Sequence, residues 1–120
     1  MSGYSPSETA RRSGFSLDTL RYYEKIGLLS GVGRTSGGHR VFTEDDLGWL
    51  ELFRCLRDTG MPIQQMCRYA ELTRDGEHTA AERRRLLEEH AASVVDRMSL
   101  LQRQYEHLRE KIRHYESVTD

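Results

Sequence analysis

Long hydrophobic runs and cysteines are both scarce in this sequence of 120 residues. A membrane-spanning helix needs about 18 consecutive apolar residues, and no such run exists, while Met1–Arg12 lacks the apolar core of a signal peptide. The two cysteines, Cys55 and Cys67, are too few for a disulfide framework, so we expect free thiols in a reducing cytoplasm. Only 37% of the residues are hydrophobic. So low a fraction predicts long helices with one solvated face, or a core that a second copy completes.

The net charge is also small, −1 at pH 7, but it is unevenly distributed. Residues 1–43 carry six Lys or Arg against three Asp or Glu, whereas the remaining 77 residues carry twelve against sixteen. Phosphate binding depends on the local potential and not on the total charge. A basic N-terminal third therefore keeps nucleic acid open as a partner, although an excess of this size also arises by chance.

Two short helices are predicted near the N terminus. Ser5-Pro6-Ser7-Glu8 combines a capping box with a proline at the first helical position, and the helix that it starts is stopped by Gly14. Ser16 is placed to cap a second helix over about Leu17–Ile26. Two short helices around a glycine-containing turn predict a helix-turn-helix at about residues 5–26, which is a common way to present a helix to the major groove.

The second helix has two different faces. Leu20 and Tyr23 share a stripe suited to packing on the first helix, whereas Arg21, Tyr22 and Lys25 lie on the opposite side. Arginine and lysine reach phosphates or guanine edges, and a tyrosine hydroxyl donates to phosphate. We therefore predict that the second face contacts DNA, the alternative being an ordinary solvated helix face.

A glycine-rich hairpin is predicted after this helix. Residues 28–42 contain four glycines, and Gly37-Gly38 indicates a two-residue turn between short arms at Arg34–Ser36 and His39–Phe42. A hairpin of this kind, at about residues 32–42, serves as a wing when it lies beside a helix-turn-helix. Its basic side chains would then follow the sugar-phosphate backbone, whereas a plain linker hairpin would leave them in solvent.

Three more helices are predicted towards the C terminus. Thr43, followed by three acidic residues, caps a helix that extends to about Asp58, and Pro62 opens another that ends near Thr73. A polar loop follows. Thr79-Ala-Ala-Glu82 is a further capping box and starts the last helix.

The last helix carries a heptad pattern and contains neither glycine nor proline up to about residue 118. Nine apolar or tyrosine side chains recur at coiled-coil spacing over four heptads. They are Leu87, Ala91, Val94, Met98, Leu101, Tyr105, Leu108, Ile112 and Tyr115. At 1.5 Å per residue this seam is roughly 42 Å long. No upstream element is long enough to cover it, so we predict a homodimer.

These motifs, in this order, resemble the MerR family of bacterial transcriptional regulators. The residues that carry the resemblance are Leu20-Arg-Tyr-Tyr-Glu24, Ile26-Gly-Leu-Leu29, Gly38-His-Arg-Val-Phe42, Asp46-Leu47 and Leu56-Arg-x-x-Gly-Met61. The resemblance covers about residues 4–73 and continues into the long helix. It implies a mainly α fold, with a winged helix-turn-helix DNA-binding domain at residues 1–73. A loop and a dimerisation helix, which pairs with its partner as an antiparallel coiled coil, follow at residues 74–120.

The resemblance also implies a function and a set of contacts. Members of the family bind double-stranded promoter DNA as homodimers, and they bend and untwist the spacer so that RNA polymerase engages the promoter. A bacterial cytoplasmic location at the nucleoid and the absence of a cofactor follow from the same resemblance. The implied DNA-binding residues are Ser16, Thr19, Arg21, Tyr22, Lys25, Arg34, His39 and Arg40.

Cys55 is the predicted sensor residue. The pattern Cys55-Leu-Arg-x-x-Gly60 resembles the subgroup that responds to aldehydes and other thiol-reactive electrophiles. Glu51 and Asp58 are its axial neighbours and would oppose thiolate formation, so activation has to come from tertiary contacts. The alternative is that Cys55 is a small buried hydrophobic residue, as we expect of Cys67. Metal-sensing members place cysteines around the long helix where this chain has none, and we predict no metal site.

Two other functions remain open from the sequence. An architectural DNA-binding protein would share the DNA-facing residues and would lack an inducer, and a coiled-coil adaptor would bind another protein through its winged head. An enzyme is the weakest candidate, because we find no convincing carboxylate pair, no phosphate-binding glycine loop before a helix and no base beside either cysteine.

Overall fold

A computed structural model of the chain describes residues 3–119. The chain divides into two compact units, Met1–Leu86 and Leu87–Asp120, which we call the head and the stalk. Within the described residues, no helix combines the length and the apolar character needed to cross a bilayer.

The head begins with the predicted helix-turn-helix, formed by α1 (Pro6–Ser13) and α2 (Leu17–Lys25). The side-chain oxygens of Ser5 and Ser16 each accept a backbone N–H from the first turn of their helix, at 3.1 and 3.0 Å. Gly14 ends α1 in the left-handed conformation, with a φ of 79°. The predicted boundaries are confirmed, except that α2 ends one residue earlier than expected.

A small antiparallel hairpin follows, with strands β1 (Gly33–Arg34) and β2 (Arg40–Val41), and we call residues 33–41 the wing. The predicted two-residue turn is wrong. The Thr35 N–H donates to the His39 carbonyl at 2.8 Å and so encloses a loop of three residues. The last of the three, Gly38, has a φ of 83° and takes the left-handed position that a three-residue hairpin loop requires. Each strand is also shorter than the predicted arms.

A third extended segment, which the sequence did not predict, lies beside the wing. Tyr4 and Phe42 exchange two backbone hydrogen bonds of 2.8 Å in an antiparallel bridge. The Tyr4 hydroxyl also donates to the Glu44 carboxylate, and the Arg12 guanidinium lies 4.7 Å from the centre of the Tyr4 ring. The segment before α1 is thereby attached to the residues that open the next helix.

Two longer helices complete most of the head, α3 (Glu44–Asp58) and α4 (Ile63–Asp75). A capping box opens α3, in which the Thr43 hydroxyl accepts the Asp46 N–H at 3.1 Å and the Asp46 carboxylate accepts the Thr43 N–H at 2.9 Å. The α3 helix ends where it was predicted to end. The α4 helix continues two residues beyond its predicted end and stops at Gly76.

One face of each helix supplies the core of the head. An aromatic cluster lies at its centre, with the Tyr23 ring 5.1 Å from Phe15 and 6.4 Å from Phe53. Burying an apolar side chain of this size stabilises a fold by about 1.5–3 kcal/mol. The buried apolar residues are Phe15, Leu20, Tyr23, Leu28, Leu29, Phe42, Leu50, Phe53, Leu56, Met61, Met66, Ala70 and Leu72.

The end of α4 and a 3-10 turn, Glu77–Thr79, together replace most of the polar loop predicted at Arg74–His78, and the turn leads into α5 (Ala80–Val118). The Thr79 hydroxyl is buried and lies 2.6 Å from a carbonyl oxygen of α4, to which it donates. The Glu82 carboxylate accepts from Arg68 at 2.8 Å. Both side chains of the predicted capping box are therefore engaged with α4, which anchors the start of α5 within the head.

The stalk consists of the rest of α5, and it exposes its apolar side chains. Of the nine predicted seam residues, Leu87 and Val94 are half-buried and the other seven are exposed. Leu101 is 66% exposed and Met98 is 64% exposed. We call this set of nine residues the α5 stripe.

Candidate nucleic-acid interface

The exposed face of α2 is the one that the sequence predicted. Leu20 and Tyr23 are each 3% exposed and point into the core. Arg21, Tyr22 and Lys25 are exposed on the other side of the helix. This helix therefore offers two cations and a phenol hydroxyl to a partner, which are side chains that bind phosphates and base edges.

The core fixes the orientation of this face through Tyr23. Its ring makes edge contacts with Phe15, in the turn between α1 and α2, and with Phe53 of α3, so that the helix-turn-helix and α3 meet at one aromatic side chain. Burial raises the pKa of the Tyr23 hydroxyl above its ordinary value, despite a hydrogen bond with Arg57 that lowers it. A helix anchored this way cannot rotate without losing that packing, so its exposed face is preorganised.

Hydroxyl groups and an ion pair organise the first turn of α2. The Ser16 hydroxyl is exposed and donates to the Thr19 hydroxyl at 2.9 Å, in addition to its capping bond. Asp18 accepts from Arg21 at 2.9 Å across one turn, and both side chains are largely exposed. The free N–H groups and the dipole at this helix start favour an anion.

The wing carries the other predicted cations. Arg34 and His39 are exposed, and Arg40 is half-buried. Both arginines donate to the carboxylate of Glu24 on α2, with distances of 3.2 Å from Arg34 Nη2 and 2.5 Å from Arg40 Nε. Helix and wing are thus joined by one acidic side chain.

Glu24 is a residue that the sequence analysis missed. Burial raises the pKa of its carboxyl group, but the hydrogen bonds and charges of Arg40 and Arg34 outweigh burial and leave the pKa below its ordinary value. The signal available in the sequence was a single acid between the two cations Arg21 and Lys25 of α2. Its two partners lie ten and sixteen residues away, beyond the reach of any helical spacing rule.

Two arginines from other helices donate hydrogen bonds to backbone carbonyl groups at the ends of α1 and α2. Arg54 of α3 donates to the Ser13 carbonyl at 3.2 Å, and Arg74 of α4 donates to the Gly27 carbonyl at 2.8 Å. Cations are favourable at helix C-termini, where carbonyl oxygens lack intrahelical partners. At Gly14, an added Cβ would lie 1.5 Å from Arg54 Nη1, so the Arg54 guanidinium occupies the space of a side chain.

The two cysteines lie in different environments. Cys55 is exposed near the C-terminal end of α3, which contradicts the alternative that it is a buried hydrophobic residue of the single chain. Cys67, expected in the core, is half-buried; burial raises the pKa of its thiol, and Glu71 adds to that shift. Among residues 3–119, no three His, Cys, Asp or Glu side chains lie close enough to hold a metal ion.

Family models match nearly the whole chain. A model described as MerR HTH family regulatory protein matches residues 4–72. A second model, described as MerR, DNA binding, matches residues 47–114.

Individual relatives agree with these models. A helix-turn-helix transcriptional regulator of Haemophilus influenzae is 40% identical over 96% of this chain and 85% of its own length. The regulator AdhR of Bacillus subtilis is 31% identical over 75% of this chain and 64% of its own length. The crystal structure of HiNmlR, a MerR family regulator lacking the sensor domain, bound to promoter DNA, superposes with a TM-score of 0.89. It has 39% sequence identity and covers 97% of this chain and 92% of that one. The chain therefore belongs to the MerR family of DNA-binding transcriptional regulators.

Proposed function

We propose that this regulator binds double-stranded promoter DNA as a homodimer, through the helix-turn-helix and wing of residues 1–73. The observation that carries the proposal is that Glu24 of α2 accepts hydrogen bonds from Arg34 and Arg40, which holds the two wing arginines beside the helix that exposes Arg21 and Lys25. Residues 74–120 would supply the dimerisation helix. The proposed place of action is the bacterial nucleoid, in the cytoplasm.

The proposed contacts divide between the groove and the backbone. Arg21, Tyr22 and Lys25 form the exposed face of α2, which suits insertion into the major groove. The wing cations Arg34, His39 and Arg40 suit neighbouring phosphates, as do the hydroxyls of Ser16 and Thr19 at the helix start.

The α5 stripe supports a second copy as the dimer partner. Seven of its nine side chains are exposed in the single chain, at the spacing with which one helix packs against another in a coiled coil. An antiparallel pairing of two such helices gives the homodimer a two-fold axis, which suits a pseudo-palindromic site on DNA.

We infer that the dimer regulates transcription by deforming the promoter. Two heads that bind at a fixed separation favour DNA whose spacer is bent or untwisted to fit them, and deformation of this kind supplies specificity at bases without direct contacts. RNA polymerase would then respond to the altered spacer. The DNA-bound relative that matches 97% of the chain supports the first step, binding to promoter DNA.

Arg40 provides the test of DNA binding. If Arg40 neutralises a phosphate, Arg40→Ala should weaken binding to promoter DNA and to unrelated DNA alike, by about tenfold. The slope of log affinity against log salt concentration should become shallower by about 1. Fluorescence anisotropy with DNA from upstream of its own gene, over a series of salt concentrations, measures both quantities. Arg103→Ala on the stalk is the control and should bind as the unaltered protein does. Equal affinity of the Arg40 variant at fixed, moderate salt would remove this residue from the interface.

A further inference from the structure

The carboxylate of Glu24 lies among the cations of the proposed DNA interface. Glu24 lies on the same helix as Arg21 and Lys25, and one negative charge near a phosphate backbone opposes binding. Its side chain is only 22% exposed, and each of its oxygens accepts from a different wing arginine. The charge of Glu24 opposes DNA binding, yet two hydrogen-bonded arginines fix its carboxylate in place. This arrangement indicates that Glu24 contributes to binding in another way.

The donor atoms indicate what that role is. Arg40 engages Glu24 through Nε, so its two terminal Nη groups, the pair that forks onto a phosphate, are not the ones used in this contact. Arg34 engages Glu24 through Nη2 and the Gly33 carbonyl through Nη1, at 3.4 Å. Both guanidinium groups are therefore oriented by α2, and one carboxylate against two guanidinium groups leaves a net positive charge.

We propose that Glu24 is a positioning residue for DNA binding, which holds the two wing arginines against α2 so that helix and wing meet the DNA as one surface. This inference rests on the proposed function. An arginine that is already oriented gives up less rotamer freedom when it binds than one that moves freely in solvent. The very short strands of the wing cannot supply that order, because each contains only two residues.

The proposal predicts an effect with the opposite sign to simple electrostatics. Removing the Glu24 charge makes the interface more positive, which by itself tightens binding and steepens its salt dependence. If positioning dominates, Glu24→Ala should instead weaken binding by about tenfold at every salt concentration. Glu24→Gln keeps the shape and one acceptor oxygen, and should cause a smaller loss.

Asp18 offers a matched control on the same helix. It pairs with Arg21 and not with the wing, and its side chain is 93% exposed. Asp18→Asn removes one negative charge, as Glu24→Gln does, but it releases Arg21 and not the wing arginines. Its effect on binding should therefore be the same whether or not Arg34 and Arg40 are present.

The experiment measures the Kd of these variants on promoter DNA by fluorescence anisotropy, in the unaltered protein and in an Arg34→Ala/Arg40→Ala background at low salt. In that background Glu24 has no arginine to position, so its removal should tighten binding, a reversal that a merely structural role would not produce.

The inference is overturned if Glu24→Ala and Glu24→Gln bind as tightly as the unaltered protein or more tightly, or if they lose the same affinity in both backgrounds. If the unaltered protein does not bind promoter DNA, the proposed function fails; if it binds and Arg40→Ala weakens it while the Glu24 variants do not, only this inference fails.

Discussion

The head and the stalk treat the same kind of side chain in opposite ways. Leu50 and Phe53 on α3 are 0% and 1% exposed, whereas Leu101 and Met98 on α5 are 66% and 64% exposed. Both helices carry apolar residues at helical spacing. The difference teaches that periodicity shows which face of a helix will be buried. The length of the helix relative to its neighbours then decides whether the same chain can bury that face or a partner is needed.

The most severe way to break this comparison is to place a charge in the α5 stripe. Leu101→Glu should abolish self-association, because a second copy would have to bury a carboxylate in an apolar seam. Analytical ultracentrifugation should give a monomer, and binding to promoter DNA should weaken by more than about a hundredfold as the bivalent contact is lost.

Ser99→Glu adds the same charge two residues earlier, on the opposite side of α5. This variant should keep the association and the DNA affinity of the unaltered protein. If Leu101→Glu remained a dimer, the α5 stripe would not be the dimer contact.

A cavity in the head tests the other side of the comparison. Leu50→Ala should lower the free energy of unfolding by about 2–5 kcal/mol, because a fully buried leucine leaves a cavity that the core cannot refill completely. Urea denaturation followed by circular dichroism measures the loss. Leu17, 38% exposed in the same head, gives the matched variant Leu17→Ala, with an expected change within about 0.5 kcal/mol. Similar losses in both variants would show that burial does not determine the stability of the head.

A substitution of Cys55 is expected to have the smallest effect on stability, and it tests whether an exposed residue of the head serves function and not packing. It is an exposed residue of the head, so Cys55→Ser should change the free energy of unfolding by less than about 0.5 kcal/mol. If the thiol is the sensor, the same variant should lose the transcriptional response to formaldehyde or a quinone, measured with a reporter fused to the regulated promoter. A normal response would show that sensing lies elsewhere, and a large loss of stability would assign Cys55 to packing.

Local rules predicted the helices of the head well. Capping residues at Ser5, Ser16 and Thr43 set the starts of three helices, and Gly14 sets the end of α1. These features depend on residues within one turn of each other, so a single sequence contains the information. The exposed face of α2 was predictable for the same reason.

The remaining features depend on residues that are distant in the sequence. Glu24 with Arg40, Tyr4 with Phe42 and Arg54 with Ser13 are separated by 16, 38 and 41 residues. No helical or strand periodicity relates such pairs. Even the predicted length of the wing loop was wrong by one residue. The glycine pair is compatible with a two-residue or a three-residue loop, and the pairing of the strands decides between them.

Gly14 shows how the backbone, more than the surrounding space, can restrict a position. Its backbone is left-handed, and the guanidinium of Arg54 fills the space where a side chain would begin. Shortening Arg54 clears that space but leaves the left-handed backbone, which any other residue adopts only at a cost. The exposed Arg54 side chain can move away from a new side chain, whereas no change elsewhere removes the left-handed backbone. The turn between α1 and α2 is therefore constrained more tightly than its exposure alone indicates.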